Sequence, residues 1–121
     1  MNIRHAIDDD RGLLLLTLEG SVSGQAFRRF SEDLYGSRPD LFAYATILDL
    51  RAYTGDITHA DLQPLLDLYA ARPGPSRDVS AGLIVTTDPN FRYWASALDA
   101  LFPGRTHQVV ESLEIAFARL S

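Results

Sequence analysis

The segment Thr46-Ile47-Leu48-Asp49-Leu50-Arg51 decides the fold class of this chain. It is an apolar run that ends in a charged pair, which is typical of a strand buried within a sheet. A polar turn over residues 52–58 follows it, and then an amphipathic helical pattern. Because the order buried strand, polar turn and helix recurs along the chain, we predict an α/β fold whose polar turns lie along one edge of a sheet.

Two strands and a helix are predicted before this segment. Residues 2–7 alternate in polarity, as in an edge strand, and residues 13–18 form a nearly unbroken apolar run. The polar turn between them predicts a hairpin in which the second strand is the more central one. Ser23 is a candidate N-cap for a helix that ends at Gly36. The apolar face of this helix consists of Phe27, Phe30 and Leu34.

Residues 43–50 are the predicted third strand, and a second helix follows it. The stripe of that helix consists of Leu62, Leu65, Leu66 and Tyr69. Since Pro64 fits the first turn of a helix but not its interior, we expect residues 58–61 to form a separate turn. Two prolines and a glycine make residues 72–77 a loop, and residues 81–87 are the fourth strand.

Asp88 and Pro89 are expected to start a third helix that ends at Pro103-Gly104. Its inward face is predicted to consist of Phe91, Trp94, Leu98, Leu101 and Phe102. Residues 106–110 form a short fifth strand, and Ser112 is the candidate cap of a last helix. Its inward residues are predicted to be Leu113, Ala116, Phe117 and Leu120. The predicted fold is a five-stranded mixed sheet with four helices, in the order β-β-α-β-α-β-α-β-α.

Composition limits the classes of function. A chain of 121 residues fits a single domain, residues 1–121, and it has no apolar run long enough to cross a bilayer. The net charge of -5 and the absence of a large basic cluster argue against nucleic acid and anionic membranes as partners. The absence of cysteine excludes disulfides and thiol catalysis. With no signal-peptide pattern at residues 1–10, we expect a cytoplasmic protein.

The whole pattern resembles the SpoIIAA-like domains of the STAS superfamily, which are typified by bacterial anti-sigma factor antagonists. The resemblance covers essentially the whole chain and depends on the order of its elements. The matching segments are the opening hairpin, Glu19-Gly20-Ser21-Val22-Ser23, Ile47-Leu48-Asp49-Leu50-Arg51 and residues 109–120. It implies a non-catalytic regulatory module that binds a protein regulator and needs no cofactor or metal. The poorly characterised branch that is also likened to lipid-binding SEC14 domains is the better match.

In the antagonist branch, a serine at the start of the second helix is phosphorylated, and the added charge disrupts partner binding. The corresponding segment here reads Asp56-Ile57-Thr58-His59, so that position falls on Ile57. Thr54 and Thr58 are the alternative acceptors, although a hydroxyl at a helix start also serves as a cap. The candidate partner- or ligand-binding residues along the turn edge are Asp49, Arg51, Tyr53, Thr54, Asp56 and Thr58.

Other polar groups have ordinary interpretations. Ser21, Ser23, Asp49 and His59 include the residue types of a hydrolase triad, but no Gly-x-Ser-x-Gly turn accompanies them. Asp49 has an ordinary interpretation as a strand-end hydrogen-bond acceptor, paired either with Arg51 or with the next turn. The acidic turn at residues 8–10 lacks the spacing of a calcium loop, so we expect a solvated hairpin turn. His5, His59 and His107 are far apart in the sequence.

The aromatic residues are expected to pack the core, and two further alternatives remain open for them. Tyr93 and Ile115 fall off the inward stripes of their helices, and together with Tyr53 they suggest a surface for a protein partner or a homodimer. Alternatively, the aromatic side chains leave a pocket between helices and sheet for a small apolar or lipid-like ligand. The residues of that pocket are Phe27, Phe30, Phe91 and Trp94.

Overall fold

The computed structural model describes residues 2–71, 80–102 and 105–120, and these form an α/β fold around one five-stranded sheet. The strands are β1 (Ile3–Asp8), β2 (Leu13–Gly20), β3 (Ala45–Tyr53), β4 (Ser80–Val85) and β5 (Arg105–Val110). They lie in the order β1-β2-β3-β4-β5, with β1 antiparallel to β2 and all other neighbours parallel. The predicted mixed sheet and its opening hairpin are confirmed.

Four α-helices pack on the sheet, and they divide unequally between its two faces. They are α1 (Gly24–Ser37), α2 (Gln63–Ala71), α3 (Phe91–Leu101) and α4 (Leu113–Leu120). Side chains of α1, α2 and α3 share one apolar cluster with the sheet, on what we call the helix face. Only α4 contributes to the cluster on the opposite side, which we call the outer face. Between β2 and β5, each α-helix therefore connects two adjacent strands on the same face.

Strand β2 contributes to both clusters, which explains its continuous apolar sequence. Leu14, Leu16 and Leu18 are buried on the helix face, while Leu13 is buried on the outer face. Burying one such side chain contributes about 1.5–3 kcal/mol relative to leaving it in water. The prediction that residues 13–18 form a strand covered on both faces is therefore confirmed.

Strand β3 starts and ends later than predicted. Residues 39–43 form a 3₁₀ helix (Pro39–Ala43), so β3 begins at Ala45, whose backbone nitrogen donates to the carbonyl of Gly12 at 2.9 Å. At its other end β3 continues to Tyr53, because β2 also continues and pairs Gly20 with Tyr53. Pairing with a neighbouring strand thus overrides the polar character of residues 51–53.

The predicted helix starts are partly confirmed. Ser23 caps α1, accepting a hydrogen bond from the Ala26 nitrogen at 3.1 Å. Residues 58–61 do form a separate turn, since a 3₁₀ helix (His59–Leu62) begins after Thr58. Asp88 is not the cap of α3; its carboxylate accepts from the Asn90 nitrogen in the preceding turn, and Asn90 is the N-cap.

The predicted loop at residues 72–77 and the predicted helix end at residues 103–104 lie outside the described residues.

Two side chains that were predicted to point inward, Leu101 and Phe117, are exposed instead. Leu101 is the last residue of α3, and the chain turns Phe102 into the core instead. On α4, Ala116 is the residue that reaches the sheet, and Phe117 lies about 100° further around the helix.

Candidate functional site

The six predicted site residues lie between the middle of β3 and the segment just beyond its carboxyl end, but their side chains point in different directions. Asp49 has the same orientation as Ile47, which is buried on the outer face, whereas Leu48 and Leu50 face the helices. Tyr53 packs against the helix-face cluster. Thr54, Asp56 and Thr58 are exposed in the segment that follows. The structure therefore divides the predicted site into an outer-face pair, an inward aromatic ring and an exposed loop.

Asp49 and Arg51 form a two-point ion pair on the outer face. Asp49 Oδ1 lies 2.9 Å from Arg51 Nε, and Asp49 Oδ2 lies 2.9 Å from Arg51 Nη2. The Asp49 side chain is buried, whereas half of the Arg51 side chain is exposed. The hydrogen bonds from Arg51 hold the pKa of Asp49 below its usual range, against the opposing effect of burial. The predicted pairing is confirmed, and it leaves part of the guanidinium accessible.

Tyr53 is not the exposed turn aromatic that the sequence suggested. Its ring makes an edge contact with Phe91, with the centroids 6.4 Å apart, and its hydroxyl accepts a hydrogen bond from the Ile57 nitrogen at 2.9 Å. Burial raises the pKa of this hydroxyl. The loop closes tightly over the ring, since a Cβ on Gly55 would lie 2.1 Å from the carbonyl oxygen of Val22. Tyr53 is thus a structural support of the loop.

The candidate phosphoacceptor positions have distinct environments. Ile57, which the sequence resemblance places at the phosphorylated serine of the antagonists, packs against the helix-face cluster and is half-buried. The hydroxyl of Thr58 lies 3.1 Å from Asp61 Oδ2, and the same carboxylate oxygen accepts from the Thr58 backbone nitrogen. Thr54 is exposed, and its backbone nitrogen is bonded to the carbonyl of Gly20. The geometry of Thr58 is that of a helix cap.

Four residues at this edge are exposed, and we call them together the carboxyl-end surface. They are Arg51, Thr54, Asp56 and Tyr93. Tyr93 lies in the first turn of α3, two residues after the Phe91 that contacts Tyr53, and it is 80% exposed. The expectation that Tyr93 points away from the core is confirmed, as is the exposure of Ile115 on α4.

Ser23, Asp49 and Asp9, which were considered above for catalysis or metal binding, make structural contacts. Ser23 caps a helix and Asp49 pairs with Arg51, so neither is arranged as a member of a hydrolase triad. In the acidic turn, Asp9 accepts from Arg38 and from the Tyr44 hydroxyl, and these hydrogen bonds lower the pKa of Asp9. Across the described parts of the chain, no group of three or more histidine or acidic side chains is arranged to hold a metal ion.

Two adjacent cavities lie between the sheet and the helices on the helix face. One has a volume of about 140 Å³ and includes Tyr53, Ile57, Phe91 and Trp94 in its wall, and the other has a volume of about 110 Å³. They share the lining residues Phe27, Leu48, Leu62, Ile84 and Leu98. Three of the four aromatic residues predicted for an apolar pocket line these cavities, whereas Phe30 does not.

The smaller cavity has a polar end that sequence reasoning missed. Thr46, Gly82 and His107 are aligned across β3, β4 and β5, and all three line this cavity. Ser31 and Tyr35 of α1 line it as well. The available signal was Gly82, since a glycine within an apolar strand often marks a place where another group approaches closely.

Comparisons with known proteins support the fold. No family model matches the chain, and no curated protein matches it. A protein of the DUF3478 family from Shewanella loihica PV-4, with a SpoIIAA-like fold, superimposes with a TM-score of 0.65 at 12% identity, covering 98% of this chain and 92% of that one. This chain has a SpoIIAA-like fold. An anti-sigma factor antagonist from Mycobacterium paratuberculosis gives a TM-score of 0.50 at 15% identity, covering 98% and 93%.

The SpoIIAA-like fold extends over nearly the whole chain, so the resemblance first seen in the sequence is confirmed at the level of the fold. Its α-helices are short: the longest of those described, α1, has 14 residues, and none is long and apolar enough to cross a membrane. At 12% and 15% identity the two neighbours establish the architecture alone.

Proposed function

We propose that this chain is a non-catalytic module that binds a regulatory protein through the carboxyl-end surface. The observation that carries the proposal is the position of Tyr93, which is 80% exposed at the same edge of the sheet as Arg51 and Asp56. Tyrosine and arginine are enriched among the residues that dominate binding energy at protein interfaces. An anti-sigma factor antagonist shares the fold, and this supports a protein as the partner.

In this proposal, binding is not switched by phosphorylation at the family's serine position. Ile57 stands there, and its side chain packs against the core. The hydroxyl of Thr58 is hydrogen-bonded to Asp61, where a phosphate would bring a second negative group against the carboxylate. Thr54 is the remaining candidate acceptor, and its exposure at the proposed interface makes it the position to test.

The test is capture of partners by the tagged full chain in extracts of its source cell, compared among single variants. We expect Tyr93→Ala and Arg51→Ala each to weaken capture of the same partner at least tenfold. Phe117→Ala is the matched control, because Phe117 is also an exposed hydrophobic residue but lies beside Leu13 and Ala45 at the amino ends of β2 and β3. A partner that binds all three variants as well as the unmodified chain would contradict the proposed surface.

A second candidate function is the binding of a small apolar ligand in the helix-face cavities. The observation that favours it is the pair of adjacent, largely apolar cavities of about 110 and 140 Å³. An apolar cavity of about 150 Å³ can hold benzene in an engineered protein. Native mass spectrometry of the gently purified chain tests this function, since a retained ligand adds a discrete mass that is lost on denaturation.

Leu98→Trp is the variant for this second test, because Leu98 lines both cavities and a larger side chain fills them. We expect the added mass to disappear in this variant. Persistence of the same added mass in a folded Leu98→Trp chain would place the ligand elsewhere.

A further inference from the structure

The polar end of the smaller cavity exists because one strand position has no side chain. Thr46 pairs with Gly82, and Gly82 pairs with His107, so the three stand in one row across the sheet. A Cβ on Gly82 would lie 2.6 Å from His107 Cδ2 and 3.1 Å from His107 Nε2. The imidazole ring therefore occupies the space above the glycine, on the helix face.

Asp99 fixes the orientation of this imidazole. Its Oδ1 atom accepts from the His107 backbone nitrogen at 2.6 Å and lies 2.8 Å from His107 Nδ1. The His107 side chain is only 9% exposed. Burial lowers the pKa of His107 and outweighs the opposing effect of Asp99, and the charge of Arg105 acts in the same direction as burial, so the neutral ring is favoured. With the carboxylate facing Nδ1, the proton resides on that nitrogen and Nε2 carries a lone pair.

Nε2 of His107 is a buried acceptor that still has room for a donor. It makes no hydrogen bond to any described residue. No fully enclosed side-chain nitrogen or oxygen in the described parts of the chain lacks a hydrogen bond, so Nε2 retains accessible surface. Because His107 lines the smaller cavity, that surface is available to a molecule inside it.

We propose that the helix-face cavities bind a small neutral amphiphile, of the alkylphenol or alcohol class, whose hydroxyl donates a hydrogen bond to Nε2 of His107. This inference rests on the second candidate function, occupancy of the cavities. The apolar body of the ligand lies against the shared lining residues, and the hydroxyls of Ser31 and Tyr35 border the same polar end. The guanidinium of Arg105 also lines this cavity, but it donates to the carbonyl of Phe42 and to the hydroxyl of Thr46. A carboxylate is disfavoured at Nε2 of His107, since it has no proton to give to the lone pair.

The experiment compares two probes that differ only in the donor, 4-propylphenol and 4-propyltoluene, by calorimetric titration of the full chain. We expect the phenol to bind about tenfold more tightly, in line with one buried hydrogen bond. In His107→Phe, which keeps a ring but removes the acceptor, the two probes should bind equally. His5→Phe is the matched control, because His5 faces the same side of the sheet but lines neither cavity, and it should keep the tenfold preference.

A second measurement uses the unmodified chain, so it tests the hydrogen bond to Nε2 of His107 even if His107→Phe does not fold. Imidazole ¹⁵N resonances of the unmodified chain are followed while 4-propylphenol is added. We expect the Nε2 resonance of His107 to move toward the value of a hydrogen-bonded nitrogen, while Nδ1 changes little.

The results distinguish the role of His107 from the occupancy of the cavities by an apolar ligand. Equal binding of both probes to the unmodified chain, or an unchanged Nε2 resonance at saturation, overturns the role of His107 and leaves the apolar-ligand function standing. No binding of either probe overturns both. A tenfold preference that survives in folded His107→Phe also overturns the assignment of the hydroxyl to this atom.

Discussion

Thr58 and Asp61 are joined by two hydrogen bonds at the start of the segment that leads into α2. The Oδ2 atom of Asp61 lies 2.9 Å from the Thr58 backbone nitrogen and 3.1 Å from its hydroxyl. The same carboxylate lies 3.7 Å from Arg28 on α1, and a Cβ on Gly24 would collide with it. One carboxylate thus connects the first turn of α1 to the loop after β3.

Asp61→Ala is therefore expected to destabilise the fold more than a typical surface substitution. Loss of a helix-start hydrogen bond of this kind costs about 0.5–2 kcal/mol. The free energy of unfolding, measured by urea denaturation, provides the test. Thr54→Ala is the matched control, because the Thr54 side chain is exposed at the same loop and only its backbone nitrogen is bonded. Equal stability of the two variants would contradict this role for Asp61.

Removal of Arg51 should raise the pKa of Asp49. The hydrogen bonds from Arg51 lower it from the usual 3.8, while burial acts in the opposite direction. In Arg51→Ala burial remains, together with the hydrogen bond from the backbone nitrogen of residue 51 and weaker charges such as Arg4, so we expect the pKa of Asp49 to move upward. Carboxyl ¹³C shifts followed against pH measure it. Arg4→Ala should change the value much less, and a pKa of Asp49 that stays low without Arg51 would show that another group stabilises the carboxylate.

His107 should make the fold less stable in mild acid. Its pKa in the folded chain lies below the usual 6.5, so the unfolded chain binds a proton first as the pH falls. Stability contributed by the neutral ring is present above pH 6.5 and is lost as the pH falls through the folded value. The difference in urea stability between the unmodified chain and His107→Phe, measured from pH 8 to pH 5, should shrink. A difference that grows toward low pH would mean that Asp99 outweighs burial.

Three glycines are expected to respond differently to alanine. At Gly55 a Cβ would lie 2.1 Å from a backbone carbonyl, so Gly55→Ala requires backbone movement and should cost about 1–3 kcal/mol. At Gly12, φ is +62° with open space around it, and strain alone should cost about 1–2 kcal/mol. Gly36 lies within α1 with nothing near, and Gly36→Ala should stabilise the chain by about 0.5–1 kcal/mol. Thermal unfolding of the three variants checks this ranking.

The fold was predictable because its signals are local. The unbroken apolar run of β2, the cap at Ser23 and the turn before Pro64 each specify an element within a few residues. Strand ends were less predictable, since the continuation of β3 to Tyr53 depends on pairing with Gly20, a residue far away in the sequence.

The site was harder to predict for the same reason. The pairing of Asp49 with Arg51 could be anticipated at a separation of two residues. The inward position of Tyr53 depends on Phe91, and the row formed by Thr46, Gly82 and His107 depends on the register of three strands. No pattern along a single element contains that information.

The order of the strands has a consequence for how the chain is made. Since β1 to β5 are adjacent in space in the order of their synthesis, each new strand finds its neighbour already formed when it leaves the ribosome. The sheet can therefore extend from one side to the other by successive short-range closures, the first through the hairpin turn and each later one through an α-helix. No strand has to stay unpaired until a partner much later in the sequence is synthesised. This shortens the time during which an unpaired strand edge can aggregate.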